Sequence, residues 1–114
     1  MKFIDVTLRD GGHQHGFNWP LGFVKRYLKS LNSFQEVKYV ELGYWKQTGK
    51  FDGPFYSMDE KLLSSICKMT NKKLSIMVDF HYCSHNVRDF PTISNFKQLG
   101  LIRVCLRKED ILEG

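Results

Sequence analysis

Hydrophobic residues follow two different periods along the chain. Four short apolar runs that contain β-branched residues each predict a buried strand: Phe3–Val6, Val37–Leu42, Leu74–Val78 and Leu101–Leu106. The segments between these runs are longer and carry apolar residues at helical spacing. Strands that alternate with helices indicate right-handed βαβ units and an α/β fold with a parallel sheet.

Three helices are predicted between these strands, and the start of a fourth after the last strand. The first begins at Pro20, because the fixed φ of proline suits the first helical turn, and its apolar positions are Phe23, Tyr27, Leu31 and Phe34. The second follows Ser57, which forms the S-x-x-E pattern of a capping box with Glu60, and its apolar positions are Leu62, Leu63, Ile66 and Met69. A short helix is expected over Thr92–Leu99, ended by Gly100. The segment "RKEDILEG" indicates the start of another helix.

Long polar loops follow the predicted strands, whereas short turns follow the predicted helices. In parallel α/β folds, ligands bind at the carboxyl ends of the strands, where such loops lie. The segment "DVTLRDGGHQHGFNW" is predicted to be the first of these loops, and it combines acids, an arginine, histidines and glycines. Gly11 and Gly12 would let this loop bend so that Arg9 and Asp10 face one pocket.

The side chains of this segment suit a catalytic site. The carboxylate of Asp10 can bind a hard divalent cation, and the guanidinium of Arg9 can stabilise negative charge that develops on a substrate oxygen. The imidazole of His13 can accept or donate a proton near neutral pH. The alternative interpretation is an Arg–Asp pair on the surface of a turn, with a solvated His13, and spacing alone leaves both interpretations open.

Several motifs resemble the N-terminal half of one enzyme superfamily. "DVTLRDGG" follows the first strand, "VELGYW" ends the second, "FDGPFYS" lies in the next loop, and "IMVD" and "IRV" lie on the third and fourth strands. Together they resemble the DRE-TIM metallolyases, which include 4-hydroxy-2-oxovalerate aldolases, hydroxymethylglutaryl-CoA lyases and isopropylmalate synthases. The "LRDGG" segment is most similar to the aldolase-like branch.

The resemblance implies a TIM (β/α)₈ barrel, of which residues 1–114 would form a single partial domain. The chain would supply about four βα units, with parallel strands in the order 1-2-3-4. A full barrel needs about 250 residues, so we expect a fragment of a longer enzyme. Four open units would leave two strand edges and an apolar inner face exposed.

The resemblance also implies a role for individual residues. A divalent metal, Mn²⁺ or Mg²⁺, would organise a pyruvate-like enolate. Asp10 would bind this metal, Arg9 would stabilise the enolate oxygen, and His13 would be the base. Glu41 would support the metal site from behind Asp10; alternatively, it is a carboxylate at a strand end that bonds to backbone or lysine. The family's further metal ligands, two histidines near the seventh strand, have no counterpart in this chain.

Composition narrows the classes of partner. The formal net charge is +5, but the lysines are scattered, so we do not expect nucleic acid to be a partner. A positive net charge would favour an anionic substrate. No apolar stretch reaches membrane-spanning length, and no signal pattern precedes the first strand. Cys67, Cys83 and Cys105 are odd in number and widely spaced, which indicates reduced thiols and a cytoplasmic location. A zinc site at His81, Cys83 and His85 is disfavoured because no second ligand pair is evident.

The sequence therefore predicts a metal-dependent carbon–carbon lyase or aldolase that acts on a small 2-oxo acid. The isolated chain would be inactive, since it lacks the ligands of the second half. A homo-oligomer is compatible with these features of the sequence. The alternative is a non-catalytic half-barrel that acts as an interaction or assembly module.

Overall fold

Four parallel strands form one sheet. The computed structural model describes residues 3–80, 82–83 and 98–105. Its strands are β1 (Phe3–Asp5), β2 (Val37–Tyr44), β3 (Lys73–Asp79) and β4 (Leu99–Cys105). Each neighbouring pair is parallel, and the order is β1-β2-β3-β4. The predicted α/β class and the predicted strand order are both confirmed.

The helices lie on defined sides of this sheet. They are α1 (Thr7–His15), α2 (Leu21–Leu31) and α3 (Glu60–Cys67). The hydroxyl of Tyr27 on α2 donates to both carboxylate oxygens of Asp5, each at 2.8 Å. Asp5 is in register with Val40, so α2 packs on the face that carries these two residues, which we call the outer face. The opposite face is called the inner face.

The buried side of α2 is the predicted one only in part, since Leu31 is buried and Tyr27 partly buried. Phe23 and Phe34 are exposed, and the buried residues of α2 are Val24, Leu28 and Leu31. The helix has two neighbouring apolar rows, and the row with smaller side chains packs against the sheet. Phe23 instead stacks against Trp19 at the surface, with ring centroids 5.3 Å apart.

The start of α3 also differs from the predicted one. Asp59 is the N-cap, and its carboxylate accepts the backbone N–H of Leu62 at 2.9 Å. Ser57 lies two residues before this N-cap, so Ser57 and Glu60 do not form the predicted capping box. The predicted apolar face is confirmed, because Leu63 and Ile66 of α3 are fully buried and Leu62 and Met69 are partly buried.

The segment before β4 was predicted as a helix that ends at Gly100. Residues 92–97 lie outside the described residues, but Leu99 and Gly100 belong to β4, so Gly100 is not a helix cap. A side chain there would place its Cβ 2.7 Å from the ring of Tyr39, and this close approach requires glycine. His81, His85, Leu106 and "RKEDILEG" also lie outside the described residues.

Two further observations concern the chain as a whole. Within the described residues, no helix is long and apolar enough to cross a lipid bilayer. Cys67, Cys83 and Cys105 are all free thiols. The last of these lies at the carboxyl end of β4, in register with Asp79 at the end of β3.

Candidate functional site

The glycine-rich segment after β1 is a helix and not the predicted loop. It forms α1, which ends at Gly16 in the left-handed conformation, with φ of 64°. Gly11 and Gly12 lie inside this helix and neither has a positive φ. A Cβ at Gly12 would lie 2.3 Å from the ring of Phe17. Gly12 is therefore required because Phe17 packs onto the helix, and not because the backbone turns sharply.

Helix α1 holds Arg9 between two carboxylates. The Nε of Arg9 donates to Oε2 of Glu41 at 3.0 Å, and its Nη1 donates to Oδ1 of Asp10. Glu41 is fully buried on β2, whereas the side chain of Asp10 is 62% exposed. The guanidinium is thus anchored to the sheet on one side and to an accessible carboxylate on the other.

Glu41 is the anchor of this network. Its Oε1 accepts the hydroxyl of Ser75 on β3 at 3.1 Å and lies 3.5 Å from Nε of Arg103 on β4. Glu41 and Ser75 are in register, so both lie on the inner face. A buried carboxylate is costly unless it is paired and hydrogen-bonded, and here two guanidinium groups and a hydroxyl meet that need. The link from Glu41 to Asp10 runs through Arg9.

A β-bulge interrupts β2 directly after Glu41. Glu41 is in register with Ser75 and Tyr44 with Met77, so two residues of β2 lie opposite one residue of β3. Without this bulge, regular alternation would place Tyr44 on the outer face. The bulge moves Tyr44 onto the inner face that carries Glu41.

Gly43 permits this bulge. A Cβ at Gly43 would lie 2.1 Å from the carbonyl oxygen of Phe55. The same carbonyl accepts the backbone N–H of Tyr44 at 2.9 Å. The loop after β2 therefore closes against the bulge through backbone contacts, and glycine is the residue that leaves room for them.

His13 lies one helical turn beyond Arg9 on α1. The residue is exposed, but its ring makes edge-on contacts with three aromatic rings. The ring centroids of Phe17, Phe51 and Tyr44 lie 5.0 Å, 5.7 Å and 6.1 Å from that of His13. One side of the imidazole is thus shielded from water.

The surroundings lower the pKa of His13 below its ordinary value of 6.5. Partial burial is the largest cause, followed by the positive charges of Lys50 and Arg9, while Asp10 opposes the shift. The imidazole is consequently neutral at neutral pH. A neutral imidazole can accept a proton, as a general base must.

The pKa of Tyr44 is raised above its ordinary value of 10.0. Burial is the largest cause; the charge of Arg9 acts in the opposite direction, and Asp79 and Cys105 raise the pKa further. Tyr44 therefore stays protonated at neutral pH. The groups that act on the pKa of this phenol belong to α1 and to the carboxyl ends of β3 and β4.

The predicted site residues thus lie near one another. On α1, His13 lies four residues after Arg9 and three after Asp10, the spacings that put side chains on one helical face. Arg9 bonds to its neighbour Asp10 and to Glu41 directly. Sequence reasoning missed Ser75 and Arg103, the further partners of Glu41, and it missed the orientation of Tyr44. Glycine before Tyr44 was the available signal, since an isolated glycine in a strand often marks a bulge.

The described residues do not by themselves form a metal site. Among them, no group of three or more His, Cys, Asp or Glu side chains is arranged to hold an ion. Asp10 offers an accessible carboxylate, which is a suitable oxygen ligand for a hard cation. A single carboxylate does not bind such an ion tightly, so these residues alone do not form the site.

An open cleft of about 490 Å³ lies beside the C-terminal end of α1. It is lined by His15, Gly16, Asn18, Lys50, Phe51, Asp52, Gly53 and Pro54. Phe51 lines this cleft and also contacts the ring of His13. His15 packs against Trp19, with ring centroids 4.9 Å apart.

Comparison with known proteins shows the fold. No protein-family model matches the chain, and no curated protein matches its sequence. The structure is similar to a crystal structure from Bacteroides vulgatus described as the "N-terminal domain of a putative aldolase". The TM-score is 0.73 and the identity 24%, over 91% of this chain and 35% of the solved chain. This chain thus spans about a third of the length of that neighbour, with which it shares the α/β arrangement of four parallel strands.

Proposed function

We propose that this chain is the first part of a barrel enzyme that cleaves or forms a carbon–carbon bond beside a 2-oxo group. The observation that carries the proposal is the position of Arg9, fixed between buried Glu41 and accessible Asp10 on the inner face. The fold shared with the Bacteroides vulgatus domain supports it. The resemblance of "DVTLRDGG" and "VELGYW" to the DRE-TIM metallolyases supports the aldolase branch.

Arg9 is proposed to stabilise the enolate oxygen of the substrate. Within the described residues it donates from Nε and from Nη1, and a guanidinium has five N–H groups. The remaining N–H groups can donate to an oxygen on which negative charge develops. Because Glu41 holds the guanidinium in place before the reaction, no reorganisation is needed when that charge appears.

His13 is proposed to be the general base. In the cleavage of a 4-hydroxy-2-oxo acid, the base removes the proton of the 4-hydroxyl group. The 4-oxygen then forms an aldehyde carbonyl, the bond between C3 and C4 breaks, and its electron pair becomes the enolate of pyruvate. The lowered pKa of His13 keeps it in the form that accepts this proton.

Asp10 is proposed as one ligand of a divalent metal, Mn²⁺ or Mg²⁺. Its carboxylate is accessible and belongs to the same helix as Arg9 and His13. The other ligands would come from outside the described residues. When bound, such an ion would polarise the 2-oxo group of the substrate.

Two variants of the full-length protein containing this chain test these roles. The readout is metal-dependent exchange of the pyruvate methyl protons with deuterium, followed by NMR, beside a metal titration. Arg9→Lys keeps a positive charge next to Glu41 but loses donors, so exchange should fall on the order of 10²-fold while metal affinity is retained. Asp10→Asn should weaken metal binding directly. Arg26→Lys on α2 is the matched control.

Each role has an outcome that would contradict it. If Arg9→Lys exchanges pyruvate at the parental rate, Arg9 does not stabilise the enolate. If Asp10→Asn binds metal with the parental affinity, Asp10 is not a metal ligand. A parent protein that exchanges no pyruvate with either metal would contradict the proposed function itself.

An assembly module is the second candidate function. Phe3 on β1 and Val104 on β4 are 51% and 50% exposed, and both strands pair on one side only among the described strands. Exposed apolar residues on strand edges favour association with another chain. Full exchange activity in a monomeric protein would exclude this function as the main one.

A further inference from the structure

We propose that the hydroxyl of Tyr44 donates a hydrogen bond to the substrate beside Arg9. This inference rests on the proposed function and adds a residue to the same site. The β-bulge at Gly43 carries the first part of the argument, because it turns Tyr44 to the inner face that bears Glu41 and Arg9. Bulges often re-aim a side chain next to an active site.

The ring of Tyr44 is held firmly in this orientation. The residue is 8% exposed. Its ring lies edge-on to Phe17 at 5.5 Å and to His13 at 6.1 Å, and it is tilted against Tyr56 at 5.4 Å between centroids. A phenol fixed on three sides can swing little, so its hydroxyl has a set position. This is the preorganisation that a donor to a transition state needs.

The hydroxyl of Tyr44 has no hydrogen-bond partner within the part of the chain that the structure describes. A phenol that is more than nine-tenths buried normally finds such a partner. No buried polar side-chain atom in the described residues lacks a hydrogen bond. The ring of Tyr44 is therefore buried, while its hydroxyl reaches accessible space. A ligand in that space can accept a hydrogen bond from the hydroxyl.

The neighbours of Tyr44 define the chemistry of that ligand. Arg9 is the cation whose charge acts on the phenol, and neutral His13 is in ring contact with it. An oxygen that carries or develops negative charge is the group best suited to accept from both a phenol and a guanidinium. In the proposed reaction this oxygen belongs to the carboxylate or the enolate of the 2-oxo acid.

Tyr44→Phe in the full-length protein tests this inference, because phenylalanine keeps the ring contacts and removes only the hydroxyl. Loss of one such donor should lower the rate of pyruvate methyl exchange on the order of 10²-fold, chiefly in kcat. Tyr39→Phe is the matched control, since it removes a hydroxyl near the opposite end of the same strand. That variant should keep the parental rate.

A second measurement does not depend on the variant being folded. The parent protein is labelled with ¹³C at tyrosine Cζ and titrated with oxalate, a planar dianion that resembles enolpyruvate. The Tyr44 resonance should shift on binding and the Tyr39 resonance should not. If oxalate binds without moving Tyr44, or if folded Tyr44→Phe exchanges pyruvate at the parental rate, Tyr44 is not a donor and the proposed function still stands. If the parent neither binds oxalate nor exchanges pyruvate, the proposed function fails and this inference fails with it.

Discussion

The side chain of Arg9 joins α1 to the sheet, and this has consequences for any variant at the site. Glu41 is fully buried and is paired with Arg9, Ser75 and Arg103. Removing one partner of a buried ion pair is strongly destabilising, because an uncompensated charge stays behind. A variant such as Arg9→Ala therefore mixes a loss of chemistry with a loss of folding, whereas Arg9→Lys keeps the charge and separates the two effects.

The pH dependence of His13 is a prediction at the scale of the residue. Because its folded pKa is lowered from 6.5, the neutral form is the one that folding favours. Its stabilising contribution is complete above pH 6.5 and is lost as the pH falls through the folded pKa. We expect the acid limb of kcat/KM to lie below pH 6.5 for the same reason.

NMR titration of the His13 Cε1 proton without metal checks this expectation. The midpoint should lie below 6.5 in the parent protein. Lys50→Gln should raise it, because the charge of Lys50 is the second cause of the shift, while Lys29→Gln on α2 should leave it unchanged. A midpoint at or above 6.5 in the parent, or an unmoved midpoint in Lys50→Gln, would show that these surroundings do not favour the neutral imidazole.

At the scale of the element, the packing of α1 predicts opposite behaviour for its two neighbouring glycines. A Cβ at Gly12 would lie 2.3 Å from the buried ring of Phe17, whereas a Cβ at Gly11 would lie 3.1 Å from the partly exposed ring of Trp19. Alanine improves helix propensity by about 1 kcal/mol at either position. Overpacking a buried ring costs about 1–3 kcal/mol, so Gly12→Ala should destabilise the protein.

Urea denaturation of the two variants measures the difference. Gly11→Ala should be at least as stable as the parent protein, since the ring of Trp19 can tilt by a few tenths of an ångström. Gly12→Ala should unfold at lower urea concentration. Equal midpoints for both variants would mean that Phe17 does not determine the need for glycine in this helix.

The elements divide into those that the sequence pattern predicts and those that long-range contacts determine. The apolar runs predicted all four strands because a parallel sheet buries both faces of its strands. The helix α1 was missed because Gly11 and Gly12 disfavour a helix locally. It is stabilised by the long-range contact of Arg9 with Glu41 and by the packing of Phe17 on Gly12. The orientation of Tyr44 was missed because side chains alternate between the two faces only along a regular strand, and the β-bulge after Glu41 interrupts β2.

At the scale of the whole molecule, the inner face is less apolar than the sequence predicted. Its centre carries Glu41, Ser75 and Arg103, whose charges and hydroxyl satisfy one another. A polar network at the centre of the inner face is more typical of a ligand-binding site than of a surface that associates through hydrophobic contacts. Within the described strands, the exposed large apolar residues are instead Phe3 on β1 and Val104 on β4, the two outermost strands.

This distribution predicts how the 114-residue chain behaves when it is prepared alone. Among the described strands, β1 and β4 each pair on one side, and an unpaired parallel edge with an exposed apolar residue attracts other chains. Sedimentation velocity should therefore show association that increases with concentration. Val104→Lys should reduce it, because a charged residue on an edge strand disfavours pairing with another chain.

Phe34→Lys is the control for that variant, since Phe34 is similarly exposed but belongs to the connection between α2 and β2 and not to an outer strand. It should associate as the parent chain does. If the parent chain sediments as a stable monomer at high concentration, the edges of β1 and β4 do not drive association. If Phe34→Lys and Val104→Lys reduce association equally, general surface hydrophobicity is the cause, and the strand edges have no special part in it.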